Sequence, residues 1–345
     1  MEKRPNVLWI ITDQQRAETL SINGCENACT PVLDTLAKTG INFTSAVSGF
    51  PLCCPYRGSM LTSRYPHHCV PGHEYQLPPE QPTVASVFRE HGYDTFYLGK
   101  WHLDGAKESE ERAGTHYVPR ERRGGFNSWL GYENNNAQYD CYLHGHRGDR
   151  EVEMFRLPTY ETDAMTDLMI EYLREKKDSD TPFFAVLSVQ PPHDPYVAPP
   201  RNQAGHLPSQ IRFRPNVPPV ASVREQAAKE LAGYPDWMEG TDYSALRLPD
   251  RARPVYPDSA YLQCVVPPHH HDSVNKAWRG IVTCSGYKYV CFENTDWLLF
   301  DLNEDPCELV NLAHNDKYLP LRKQLREELQ RWIEKTNDTF SLPEL

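Results

Sequence analysis

No stretch of this 345-residue chain reaches the roughly 18 consecutive apolar residues that a membrane-spanning helix needs. No membrane partner is therefore expected. Positive charge is also scarce. Lys and Arg number 36 against 47 Asp and Glu, and the net charge of -11 argues against a nucleic-acid groove. Any anion site has to be positive locally. The ten cysteines (Cys25, Cys29, Cys53, Cys54, Cys69, Cys141, Cys264, Cys284, Cys291 and Cys307) are scattered and form no compact disulfide framework. The opening MEKRPNVLWIIT runs directly into strand-like sequence, without a long apolar leader or a small-residue cleavage site. These two features predict a cytoplasmic protein without a signal peptide, in which the sequons at Asn42 and Asn337 carry no meaning. No internal repeat is visible.

What remains is a globular composition, 39% hydrophobic and 24% charged, on a chain long enough for a sizeable core. NVLWIIT (6–12) reads as a strand buried on both faces. TPVLDTLAKTG (30–40) reads as a helix, with Thr30 as N-cap, Pro31 at the first position and Gly40 as its stop. INFTSAV (41–47) reads as strand, PTVASVFREHG (82–92) as helix and YDTFYLG (93–99) as strand. DAMTDLMIEYLREKK (163–177) is an amphipathic helix with Ala164, Leu168 and Tyr172 on one face, and PFFAVLSV (182–189) is a buried strand. Strands alternating with helices predict an α/β fold, a mostly parallel sheet flanked by helices, with ligands at the carboxyl ends of the strands. After about residue 250 the pattern changes. Residues 277–306 read as an antiparallel meander broken at SG and NT, and 317–335 as a closing amphipathic helix. We therefore expect an α/β domain over 1–234 and a small α+β subdomain over 235–345.

Polar groups follow four expected strands: Asp13-Gln14, then Cys53-Cys54-Pro55-Tyr56-Arg57, Lys100-Trp101-His102, and His193 in QPPHDPY. Singly, each has a bland reading as a turn, a packed thiol or a surface ring. Jointly they lie at one edge of one sheet.

Together these segments resemble the sulfatase family of the alkaline phosphatase superfamily. CCPYRGSMLTSRYP looks like the family signature, a Cys followed by any residue, Pro, any residue and Arg, opening a helix. PNVLWIITDQQR, HGYDTFYLGKWHL, QPPHDPY and the late WRGIVTCSGYKYV and LFDLNEDPCELVNLA also look like family segments in order. The resemblance implies that a separate formylglycine-generating enzyme oxidises the signature Cys, which register against Pro55 and Arg57 makes Cys53. The hydrated aldehyde then offers two hydroxyls: one attacks sulfur and expels the alcohol, and deprotonation of the other ejects sulfate. It further implies that Asp13, Gln14 and modified Cys53 hold Ca²⁺, with Mg²⁺ or Mn²⁺ as alternatives. Arg57 would stand beside the reacting group, Lys100 hold a sulfate oxygen, His102 handle the second hydroxyl's proton, and His193 serve the leaving oxygen. The substrate would be a small-molecule or carbohydrate sulfate ester, and arylsulfatase-like activity is one form of it.

The family's second metal-ligand pair, an Asp followed by His or Asn, is not found. VREQAAKELAGY (223–234) passes straight to PDWMEGTDYSAL (235–246), so Tyr234-Pro235 reads as an internal deletion junction. One carboxylate and one amide hold a hard cation weakly. Asp236, Asp242 and the run His269-His270-His271-Asp272 are the substitute candidates, although histidine suits softer metals. Two alternatives accordingly stand beside the sulfatase reading: a phosphonate or phosphate ester hydrolase of the same superfamily, and a non-catalytic or truncated homologue.

Overall fold

A strand that must deliver a polar side chain to a ligand needs its neighbours ending level with it. In the computed structural model, which describes residues 4–110, 112–203, 211–212, 257–268 and 274–343, that condition is met by a six-stranded sheet. Its strands are β1 (Val7–Ile11), β2 (Asp94–Lys100), β3 (Ser128–Tyr132), β4 (Tyr142–Arg147), β5 (Arg150–Arg156) and β6 (Phe183–Ser188), in the order β1-β6-β2-β3-β4-β5. The first four in that order run parallel, and β4 and β5 add an antiparallel edge. Ile11 and Gly99 both pair with Ser188, so β1, β6 and β2 end side by side.

The expected α/β class is therefore what the chain adopts. β6 is buried along its whole length and β2 nearly so, as apolar parallel strands covered on both faces should be. Alternate residues serve opposite layers. Tyr97, Phe184 and Val186 pack with Leu61 of helix α2 (Cys53–Thr62) and Ala85 of α3 (Val84–Glu90). Phe96, Leu98 and Ala185 pack with Met165 and Met169 of α4 (Glu161–Lys176). Within α4, Ala164 and Tyr172 are buried as expected, while Leu168 is only partly so.

Two local expectations fail. β1 is buried on one face only: Leu8 is 39% and Ile10 63% exposed. Among the described residues it is an edge strand, paired with β6 alone. Residues 41–47 form a loop rather than a strand, with Phe43 exposed. β-branched and aromatic residues favour a pleated surface only where a partner strand supplies one, and this segment has none among the described residues. Helix α1 (Pro31–Thr39) has the expected ends, but the Thr30 hydroxyl donates to Asp34 instead of capping the backbone.

The tail is a second sheet, β7 (Ser259–Cys264), β8 (Trp278–Thr283), β9 (Tyr287–Phe292) and β10 (Thr295–Asp301), antiparallel in the order β10-β9-β8-β7. The closing helix (Leu319–Lys335) lays Leu325, Leu329 and Ile333 on Ile281, Tyr289 and Leu299. Arg279 and Tyr261 both bond to Asp338 just past that helix. The boundary expected at 234/235, the junction Tyr234-Pro235, and Asp236, Asp242 and His269-His270-His271-Asp272 lie outside the described residues. No helix of the described residues is long and apolar enough to cross a membrane.

Candidate active site

Helix α2 starts abruptly. Leu52 is extended (φ -136°, ψ 143°), and Cys53 is already helical. Pro55 falls in the first turn, where its missing N–H would have no intrahelical partner anyway. The following turn carries Arg57 inward. At 2% exposure its guanidinium is inside the protein, donating from Nη1 to the Lys100 carbonyl and the Ser188 hydroxyl, each at 2.8 Å, and from Nη2 to Asp13 Oδ2 at 3.1 Å.

Asp13 is reached from three sides. Lys100 Nζ lies 2.7 Å from Oδ2, and the Cys53 thiol donates to Oδ1 at 3.4 Å. His193, in the segment after β6, brings a ring nitrogen within 4.8 Å of both the Asp13 carboxylate and the Cys53 sulfur. Its Nδ1 meets the Asp194 carbonyl at 2.7 Å. The structure thus gathers Asp13, Cys53, Arg57, Lys100 and His193 at the level ends of β1, β2 and β6. Gln14 follows Asp13 with a left-handed backbone, φ 61°.

Burial would raise the Asp13 carboxyl, but Lys100, Arg57 and His193 outweigh it and hold the group far below the carboxylate range. Burial pushes the Cys53 thiol up to about 11, with the Asp13 charge adding to the shift. Burial would lower Lys100 and Arg57, yet Asp13 keeps both charged. His193 is lowered by burial and by Lys100. His102 is lowered much further by burial, Lys100 and His73, so its imidazole is neutral.

His102 keeps different company. It is 2% exposed, has φ 54°, and stands edge-on to His73 with ring centroids 5.4 Å apart. Its ring groups with Cys54 and His73, whose ligand atoms all lie within 4.8 Å of one another.

Three neighbours escaped the sequence reading. Ser188 ends β6 and joins Arg57 to the Lys100 carbonyl. The Tyr97 hydroxyl donates to that same carbonyl. Glu133 follows β3 and accepts the backbone N–H groups of Leu103, Asp104 and Gly105 at 3.1, 2.8 and 2.9 Å, pinning the loop after His102. The strand-end rule that selected Asp13 and Lys100 would have selected Glu133, had SWLGY been read as a strand.

The donor set can be tested against a hard divalent cation. Asp13, Gln14 and an oxygen on residue 53 are what the described residues offer. The Asp13 carboxylate is already shared by two cations, and Ca²⁺ takes six to eight oxygens. Among the described residues the set does not complete such a site.

Residues 5–243 match the sulfatase family model, and residues 225–335 match the model described as N-sulphoglucosamine sulphohydrolase, C-terminal. The chain is 37% identical over 243 residues to an ulvan-active sulfatase of Formosa agariphila, covering 69% of this chain and 45% of that protein. It is 28% identical over 226 residues to an endo-4-O-sulfatase of Bacteroides thetaiotaomicron, covering 56% and 44%. With human N-acetylglucosamine-6-sulfatase the identity is 31% over 216 residues, covering 58% and 36%. The chain thus spans less than half the length of these relatives. Among solved structures, one from a study of glycosaminoglycan metabolism in Bacteroides thetaiotaomicron superposes with a TM-score of 0.77 at 18% identity, covering 97% of each chain. Another, in complex with its substrate D-glucosamine-2-N,6-O-disulfate, gives 0.73 at 15% identity, covering 98% of this chain and 99% of that one.

Proposed function

The chain belongs to the sulfatase family, and from that premise we propose that it hydrolyses sulfate monoesters of carbohydrates, with Cys53 as the site of the nucleophile. The observation that carries this reading is the convergence of Asp13, Cys53, Arg57, Lys100 and His193 on one buried, net positive cradle at the head of α2. The ulvan and N-acetylglucosamine names among the relatives support the carbohydrate class, beside a steryl-sulfatase of Mus musculus that matches 40% of this chain.

An unmodified Cys53 suits the reaction poorly. With its proton affinity raised to about 11 it is a thiol at neutral pH, and the thiol is the weak form of the nucleophile. Conversion to formylglycine supplies, when hydrated, an attacking hydroxyl and a second hydroxyl whose deprotonation releases sulfate. The chain's own groups do the rest. Lys100 holds a sulfate oxygen, and Arg57, fixed by Asp13, Ser188 and the Lys100 carbonyl, adds a permanent positive charge beside the reacting group at the N-terminus of α2. Asp13 keeps both cations charged and fixed. His193 gives its proton to the leaving oxygen, an anion beside it raising its affinity for that proton. Neutral His102 accepts the proton of the second hydroxyl. Asp13, Gln14 and residue 53 are the ligands offered to a divalent cation, but no step depends on it here.

The test is co-expression with a formylglycine-generating enzyme, mass spectrometry of the Cys53 peptide, and assay on sulfated mono- and oligosaccharides beside aryl sulfates and phosphonate esters. Aldehyde at Cys53 with sulfate release from the sugars is the expected result. Aldehyde without turnover of any ester would leave a non-catalytic homologue.

A further inference from the structure

The proposed reaction uses Cys53 but not its neighbour. Cys54 is 0% exposed and points to the other side of the helix start, where its sulfur lies 3.9 Å from His73 Nδ1. A ring nitrogen of His102 completes a triangle in which every pair is within 4.8 Å. Both His102 nitrogens are buried with no hydrogen-bond partner among the described residues, and the reaction above engages at most one of them. An imidazole placed this way, its polar atoms unanswered, is held ready for a ligand.

We propose that Cys54, His73 and His102 form a second metal site for a zinc-class ion, and that filling it takes His102 out of the reaction. The site itself stands on geometry; the inhibitory half rests on the role given to His102 above.

The chemistry selects the ion. One thiol and two imidazoles suit Zn²⁺ or Co²⁺ and are wrong for Ca²⁺ or Mg²⁺. Zinc bond lengths of about 2.3 Å to sulfur and 2.0–2.1 Å to nitrogen imply tetrahedral S···N edges of roughly 3.6 Å. The Cys54–His73 edge therefore closes by only a few tenths of an ångström from its 3.9 Å. Supporting groups are in place. The Glu74 N–H donates to the Cys54 sulfur at 3.4 Å, an interaction that favours thiolate. The Glu74 carboxylate faces His73 Nε2 at 3.9 Å, on the side away from Cys54, where a ligating imidazole is ordinarily oriented by an acid. Binding releases the Cys54 proton to solvent and forms a sulfur–metal bond, with no change of oxidation state. Three protein ligands leave the fourth position to water.

The probe is Co²⁺ alone, added to the full chain carrying Cys53→Ser so that residue 53 is neither thiol nor aldehyde. One tightly bound cobalt is expected, with tetrahedral d–d bands and a thiolate-to-cobalt charge-transfer band, all displaced by Zn²⁺. Cys54→Ser in the same background should remove the charge-transfer band. His73→Gln, at a partly exposed position that keeps the fold intact if Cys54→Ser does not, should weaken binding at least about tenfold. A charge-transfer band unchanged in Cys54→Ser, or cobalt affinity unchanged in His73→Gln, overturns the site. In the aldehyde-bearing wild-type chain, zinc should inhibit ester hydrolysis, with the inhibitory concentration raised at least about tenfold by His73→Gln. Zinc bound stoichiometrically with hydrolysis undiminished overturns the inhibitory half and leaves the site.

Discussion

Lys100 Nζ and Asp13 Oδ2 stand 2.7 Å apart with neither open to solvent, and Arg57 shares the same oxygen at 3.1 Å. One carboxylate thus answers two buried cations. Removing it leaves both charges uncompensated in a poor dielectric, which typically costs about 3–5 kcal/mol. Asp13→Asn should lose about that much in urea unfolding, and Asp13→Asn with Lys100→Met should recover part of it through coupling of about 1–3 kcal/mol. An Asp13→Asn midpoint equal to wild type would mean the cations are held by something else.

Cys53 and Cys54 are adjacent but chemically separated, one against Asp13 and the other against His73. Cys53→Ala should abolish hydrolysis, because alanine has no thiol to be oxidised to the proposed aldehyde. Cys54→Ala should retain turnover while losing about 1 kcal/mol or more of stability through the small cavity it opens. Peptide mass spectrometry and kcat on a sulfated sugar decide it. Equal loss of turnover in both variants would put the signature register out by one residue.

The ends of β1, β2 and β6 were legible because parallel strands are written as apolar runs, and each run gives way to polar residues within one or two positions: Thr12 and Asp13, Lys100, and Ser188 and Gln190. β3 to β5 were not. Their sequences carry Gly131, Gly145, His144 and His146 in strand interiors, and REVEMFR at the exposed edge alternates charge rather than burying a face. Missing β3 also hid Glu133. The burial of β1 was overstated because a run such as VLWII does not reveal which of its faces is covered, and Leu8 and Ile10 are exposed. The signature around Cys53 was readable, since its spacing is set by one helix start. That His102 stands with Cys54 and His73 was not, because the contact depends on how the 69–77 loop folds back under α2.

Glu133 binds the backbone of residues 103–105 through both carboxylate oxygens, and that loop begins directly after His102. Burial lifts its proton affinity to about 7 despite these donors. Glu133→Gln turns an NH₂ group toward backbone N–H donors, which repel it. Expected are a loss of about 1–3 kcal/mol in stability and a fall in kcat of about 10- to 100-fold as His102 shifts. Steady-state kinetics with kcat and KM resolved would measure this, and an unaltered kcat would remove Glu133 from the positioning of His102.

Calcium should bind weakly. With Asp13 committed to Lys100 and Arg57, and Gln14 contributing a neutral oxygen, too few charged ligands remain among the described residues for a tight site. Calorimetric titration of chelator-treated protein should give a dissociation constant of about 1 mM or weaker. Micromolar binding would require carboxylates from residues 213–256 or 269–273 and would restore a complete metal centre to the mechanism.

The tail gives a pH prediction with a definite sign. Asp338 accepts from Arg279 Nε at 2.6 Å and from the Tyr261 hydroxyl at 2.7 Å, tying β8 and β7 to the segment after the closing helix. Burial opposes ionisation, but Arg279 outweighs it and holds Asp338 at about 2. An acid whose affinity is depressed by folding stabilises the folded state above its unfolded value, near 3.9, and loses that contribution as pH falls toward the folded value. The contribution amounts to roughly 1–2 kcal/mol once solvent screening is allowed for. Asp338→Asn should therefore lower the unfolding midpoint at pH 7 and pH 5 alike, and the gap from wild type should narrow only below about pH 4. Unfolding curves at pH 7, 5 and 3 test it. A gap that narrows already between pH 7 and pH 5 would overturn the assignment of this contribution to the Arg279–Asp338 pair.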